Sequence, residues 1–196
     1  PSIPTPSQPT TTTPSTTTPT TTTPSTTTPT TTTPQRQEPQ PIALKDDAAA
    51  AYDPSKRATA GGDPKHAIDD DPKTAWHVTT SGTGKDMATG IVVDLGSKKG
   101  VRVLELATST PGFRAEIYAA DSDELPPDIL DTRWAHIKDR SRVDLTDKKD
   151  KNVKGDGKER IVLGGGSVKY RYVLLWLTTP PSEGTTVRIS DLKLLG

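Results

Sequence analysis

The chain has 196 residues, 25 of them basic and 25 acidic, so its formal net charge is zero, and it contains no Cys. The missing Cys excludes a disulfide framework, thiolate catalysis and Cys-ligated metals. Balanced charge argues against a nucleic-acid-binding stripe, and the longest unbroken apolar run, residues 172–177, is far short of the ~20 residues of a membrane helix.

The first 34 residues hold 19 Thr, 9 Pro and 4 Ser, and no charge precedes Arg36. The unit TTTPSTTTPT occurs at residues 11–20 and again at 21–30, then restarts at 31–34. Pro holds φ near the polyproline value and removes amide donors, and Thr offers too little apolar surface to offset the entropy of ordering. The stretch therefore predicts an unpacked stalk over residues 1–41, able to reach on the order of 100 Å when extended. Thr and Ser with regular Pro is also the composition of O-glycosylated stalks. A spacer holding a domain off a membrane or wall and a linker between intracellular domains both fit. The chain begins at Pro1, which reads as part of something longer.

Residues 42–196 predict one domain built from strands. Residues 91–95 end at Gly96, and Val101, Val103 and Leu106 mark the next strand. Phe113, Ala115, Ile117 and Ala119 alternate with Arg114, Glu116 and Tyr118, as in a half-buried strand. Another opens at Trp134, around residues 132–137, and residues 161–163 stop at Gly164. Residues 170–178 are apolar on both faces, which suits a central strand covered on both sides. Val187 and Ile189 are in phase but Leu192 and Leu194 are shifted by one, which predicts a bulge near Ser190 and Asp191. Residues 64–68 suit one helical turn. Six to eight strands spaced by turn signals predict an all-β fold, a β-sandwich rather than a barrel.

No catalytic constellation emerges. Ser167 follows Gly165 and Gly166 but lacks the second Gly of a nucleophile elbow. Gly82, Thr83, Gly84 and Lys85 are too few for a phosphate-binding loop. His66, His77 and His136 have no spacing that puts two on one face. From Asp150, an EF-hand register puts Lys154 and Ile161 at ligand positions, so residues 147–159 read as a solvated, mixed-charge loop.

One cluster stands out: Asp63, then Asp69, Asp70 and Asp71, followed by Thr74, Ala75 and Trp76. Adjacent carboxylates beside a buried pair need a positive charge or amide donors. Oxygen ligands for a hard cation such as Ca²⁺ and a tight Asx-turn capping local amides are both compatible with these residues.

Residues 67–76 resemble the A-x-D-G-D-x-x-T-x-W signature of discoidin-like domains, also called F5/8 type C, which are galactose-binding-like jelly rolls. Residues 90–96 resemble the family's strand ending in D-L-G, and Val101 to Leu106 its V-x-x-L strand. Residues 113–118 resemble its F-x-x-x-I-Y/W strand. Residues 170–178 and 187–196 resemble its closing R-Y-V/L and I-S-E-I-x-x-x-G strands. Five loose motifs in the right order make the resemblance specific over residues 42–196. It implies a jelly-roll β-sandwich behind the stalk. The closing strands are most similar to versions at the extracellular C-termini of actinobacterial serine/threonine protein kinases and lipid II flippase-like membrane proteins.

By that resemblance, a structural Ca²⁺ would be held by Asp69, Asp71, Thr74 and Asp191, the last at a usual Glu position. Asp70 departs from the family, which places Gly there, and Lys65 and Lys73 could neutralise the acids instead. Trp76 and Trp176 fall on core positions, and Trp134 is expected in the core as well. Candidate ligand contacts at strand ends are His77, Arg114 and Arg133. The implied function is a non-catalytic, extracellular binding module for a glycan or cell-wall polymer, a monomeric domain tethered to a membrane protein. A structural or protein-interaction domain without a sugar site is the alternative.

Overall fold

The structure, a computed structural model, describes residues 1–2, 37–80, 86–143 and 157–196. The chain divides into two units, Pro1–Arg36 and Gln37–Gly196. In the first, Pro1 and Ser2 are exposed. The Thr/Pro repeats, residues 82–85 and residues 147–156 of the mixed-charge loop lie outside the described residues.

The second unit is all-β. Among the described residues there are eleven strands: β1 Ala49–Tyr52, β2 Ala58–Gly61, β3 Trp76–Thr80, β4 Thr89–Gly100, β5 Val103–Thr108, β6 Arg114–Ala120, β7 Ala135–Arg142, β8 Gly157–Val162, β9 Lys169–Thr179, β10 Thr186–Ile189 and β11 Asp191–Leu195. They form a five-stranded sheet, β1-β4-β9-β6-β7, and two three-stranded sheets, β10-β3-β2 and β11-β5-β8. The paired strands are antiparallel. A 3₁₀ turn, Pro64–Ala67, is capped by the Asp63 side chain, which accepts from the Lys65 N–H.

The main core lies where the inner faces of the three sheets meet. Ile91 and Val93 of β4, Ile117 of β6 and Leu175 of β9 share it with Leu104 and Leu106 of β5, Val187 of β10 and Leu194 of β11. This is the expected jelly-roll sandwich. Trp76 is fully buried, and Trp134 and Trp176 are nearly so, as expected of core positions.

The expected central strand is present as β9, which pairs with β4 on one side and β6 on the other. Residues 172–178 are buried on both of its faces. The outer face carries a second cluster, in which Tyr172, Leu174 and Trp176 pack with Tyr52, Val92 and Trp134. Aromatic edges organise it: Tyr52 meets Trp134 and Trp176 in T-shaped contacts at 5.7 and 6.0 Å.

The connection from β6 to β7 covers this outer cluster, and polar groups of the sheet, with its own Trp134, fasten it. Tyr52 Oη donates to the Pro126 carbonyl at 2.9 Å, and Trp134 Nε1 to the Asp128 carbonyl at 3.1 Å. Arg171 Nη1 and Tyr172 Oη both donate to the Asp123 carbonyl. Arg171 is itself oriented by Asp94, whose two carboxylate oxygens accept from Nε and Nη2 at 3.2 and 3.1 Å. Partial burial pushes the Asp94 carboxyl up. The Arg171 fork and the Gly96 N–H outweigh burial and hold it below the ordinary carboxylate value.

Several expectations are corrected. Strand β4 continues past Gly96 to Gly100, with a register shift between Asp94 and Lys99 and Gly96 at φ 71° absorbing the distortion. The slip at Ser190 is not a bulge within one strand. Residues 186–189 pair with β3, residues 191–195 pair with β5, and the chain changes sheets at Ser190, whose N–H donates to the Ala107 carbonyl. Strand β7 starts at Ala135, because the Trp134 N–H closes a turn on the Asp131 carbonyl. Packing also begins earlier than Ile42. Gln40 and Gly196 exchange two backbone hydrogen bonds, and the Gln37 carbonyl accepts from Arg102.

Two outcomes test this arrangement. Trp176→Ala leaves a void in the outer cluster and should cost roughly 3–5 kcal/mol in urea unfolding of the full chain. A loss below about 1 kcal/mol would contradict the two-sided burial of β9. Because the Asp94 value is depressed in the fold, its contribution is complete above the ordinary Asp value and is lost as pH falls through the folded one. The melting temperatures of wild type and Asp94→Asn should therefore differ at pH 6 and converge as pH falls through the folded value, below the ordinary Asp value. An equal gap throughout that range would show that charge is not what Asp94 contributes.

Candidate binding site

The acidic loop is built locally. Asp69 Oδ1 accepts from the Asp71 N–H at 3.1 Å, and Asp71 Oδ1 from the Lys73 N–H at 2.9 Å. Thr74 Oγ1 lies 3.0 and 2.8 Å from the two Asp69 carboxylate oxygens and 3.0 Å from the Asp71 carbonyl. Asp69, Asp71 and Thr74 are thus brought together as overlapping side-chain-to-backbone turns. Lys65 pairs with Asp63 at 3.1 Å.

Asp191 is placed differently. At the start of β11 it faces Lys193, whose Nζ is 3.4 Å from Asp191 Oδ2 and 2.6 Å from Asp70 Oδ1. The other oxygen, Asp191 Oδ1, is buried and has no hydrogen-bond partner. Burial pushes the Asp191 carboxyl up, and Lys193 pulls it back only in part. Lys193 is raised, first by its hydrogen bond to Asp70. Asp70 adopts φ 58°, a left-handed conformation that short polar residues accept more readily than most.

The resemblance gathers Asp69, Asp71, Thr74 and Asp191 around one cation. The structure joins the first three to one another, while Asp191 pairs with Lys193, which also pairs with Asp70. Among the described residues, no three His, Asp or Glu side chains converge as a metal cage. A cleft of about 440 Å³ opens beside the Lys193 pairs, lined by Ile42, Leu44, Ile68 and Asp70 among others. Its lining contains no aromatic ring.

The three expected ligand contacts are not brought together. His77 sits on β3 in the sheet β10-β3-β2, with its imidazole against the Gly61 backbone, where a Cβ would collide with the ring. Arg114 is exposed at the start of β6, opposite Arg142. Arg133 lies beyond the other end of that strand pair, because Ala119 is opposite Ala135. Arg133 is also engaged: its Nε and Nη2 grip both oxygens of Asp131 at 2.9 and 2.7 Å. That grip, with the Arg133 N–H, lowers the Asp131 carboxyl to about 2.

A different group does converge. Tyr118 of β6 and His136 of β7 are cross-strand partners, and their rings stack at 4.6 Å between centroids with 21° between planes. Tyr118 Oη donates to Glu116 Oε2 at 2.7 Å. Glu116 Oε2 also lies 3.6 Å from His136 Nε2, and Asp139 Oδ1 lies 3.7 Å from Nδ1. Tyr118 packs against the outer aromatic cluster, whereas the His136 side chain is 39% exposed. The result is a two-ring surface edged by two carboxylates on the outer side of the five-stranded sheet. Tyr118 is legible as an outward position of its strand. His136 is not, because it becomes a partner only through the β6–β7 register.

No protein-family model matches the chain, and no curated protein matches it. Solved structures do. Chitosan-binding module 1 from a chitosanase/glucanase of Paenibacillus sp. IK-5 superposes with a TM-score of 0.57 at 18% identity, covering 80% of this chain and 99% of that one. Chitosan-binding module 2 of the same protein, solved with chitotriose, superposes with a TM-score of 0.54 at 17% identity, covering 79% and 99%. At these identities the likeness establishes the fold alone, a β-sandwich shared with those modules.

Proposed function

We propose that this chain is a non-catalytic binding module for a carbohydrate or cell-envelope polymer. In this reading residues 37–196 form the binding domain and the Thr/Pro-rich sequence before them a stalk, displaying it outside the cell as part of a larger membrane-anchored protein. The observation that carries the reading is the Tyr118–His136 stack with Glu116 and Asp139 at its edge. Pyranose rings present C–H faces that pack on aromatic surfaces, and their hydroxyls donate to carboxylates. The exposed His136 ring, stacked on half-buried Tyr118 and bordered by Glu116 and Asp139, offers both contacts in one place.

The shared fold supports the same reading, since both Paenibacillus structures are named as chitosan-binding modules and each is matched over nearly its whole length. The repeats at residues 11–30 suit a spacer that holds such a module away from its anchor.

Native gel electrophoresis of the full chain through soluble glycol chitosan, and co-sedimentation with insoluble peptidoglycan, test the proposal. Retardation or sedimentation by at least one polymer is expected, with a loss of tenfold or more in affinity for Tyr118→Ala and His136→Ala. His136→Ala should melt within a few degrees of wild type, because the ring is exposed. Absence of binding to either polymer, or full binding by both variants, would sink the ring-pair assignment.

A further inference from the structure

The acidic loop carries Asp69, Asp70 and Asp71, Asp191 lies on β11 beside it, and burial sets Asp191 apart from the other three. Asp69, Asp70 and Asp71 are exposed, so water can solvate their charge and no bound cation is needed for it. Asp191 is the exception, with only 20% of its side chain exposed against 71% for Asp70. A carboxylate in that position is costly without an opposite charge at hand. That charge is already present. Residues 191 and 193 are two apart on β11, so their side chains leave the strand on the same face. Lys193 Nζ thereby reaches Asp191 Oδ2 at 3.4 Å and crosses to Asp70 Oδ1 at 2.6 Å, bridging strand to loop.

The left-handed turn at Asp70 serves the same contact. Its φ of 58° favours glycine on steric grounds, yet the residue there carries a carboxylate that pairs with Lys193. The oxygens around Thr74 are held by loop donors, whereas Asp191 and Asp70 share Lys193.

We infer that Lys193 supplies, from within the chain, the positive charge that the resemblance assigns to a bound Ca²⁺, and that loop 63–74 is joined to β11 through this ammonium without a divalent metal. The bridge is covalently tethered, so it is present at any calcium concentration and involves a single positive charge.

Thermal unfolding of the full chain tests the inference in two arms. Wild type should melt at the same temperature, within about 1 °C, in millimolar CaCl₂ and in EGTA. A rise of several degrees in CaCl₂ would overturn the inference, because the buried, unpartnered Asp191 Oδ1 would then be acting as a metal ligand. In EGTA, Lys193→Met should melt about 3 °C or more below wild type, and Lys193→Arg should stay close to it. A Lys193→Met melt equal to wild type, or a Lys193→Arg variant that falls as far as Lys193→Met, would also overturn it. The second result would mean that the aliphatic stem matters and the charge does not. If Lys193→Met does not fold, the calcium arm and Lys193→Arg still decide the question.

Discussion

Strand β9 is buried on both faces, and the rest of the structure follows from covering it. A strand of this kind is usual where helices flank a sheet on either side. Here the inner face is met by the two three-stranded sheets, and the outer face by a connection with no helix in it. Such a segment brings few apolar side chains and many backbone groups that must be satisfied. The hydroxyls of Tyr52 and Tyr172, the Trp134 indole and the Arg171 guanidinium answer this by donating to carbonyls of Asp123, Pro126 and Asp128. The aromatic residues thus act twice, as apolar bulk and as donors at the rim.

Electrostatics follows a similar division. Arg171 with Asp94 and Lys193 with Asp191 each set a cation beside a carboxylate that the sandwich partly buries. In both pairs one member sits on a strand that also anchors a loop: β9 holds the residue 121–134 connection, and β11 holds the acidic loop. The ion pairs therefore matter less for their own energy than for where they place backbone. The more exposed pairs, such as Lys98–Asp121 and Lys65–Asp63, have no comparable leverage and are worth little individually.

Much of the sandwich is legible in the residues. Alternation in Phe113, Ala115, Ile117 and Ala119, and two-sided apolarity in residues 170–178, give β6 and the centre of β9 directly. Strands β1 and β2, reading AAAY and ATAG, escape notice because Ala carries almost no strand preference; tertiary pairing with β4 and β3 makes them strands. The phase slip at Ser190 is visible in Ile189 and Leu192, but a bulge and a change of sheet leave the same trace in one dimension. Site residues fare worse. The loop contacts among Asp69, Asp71 and Thr74 are local and readable, whereas the roles of Lys193 and His136 depend on which chain segment comes to lie opposite. The pairing of Arg133 is local by contrast: its partner, Asp131, is two residues away and holds its fork.

The first and last paired residues of the domain face each other, since Gln40 and Gly196 exchange two hydrogen bonds and Ile42 donates to Leu194. A tensile load applied at Gln37 and Gly196 would pull this pairing open one rung after another, the weakest geometry for an antiparallel ribbon. A load entering at Gln37 meets those rungs first, whichever part of the domain it leaves by. The pairing that closes the domain, rather than the sandwich behind it, is therefore the first part to feel a pull on the segment that leads into it.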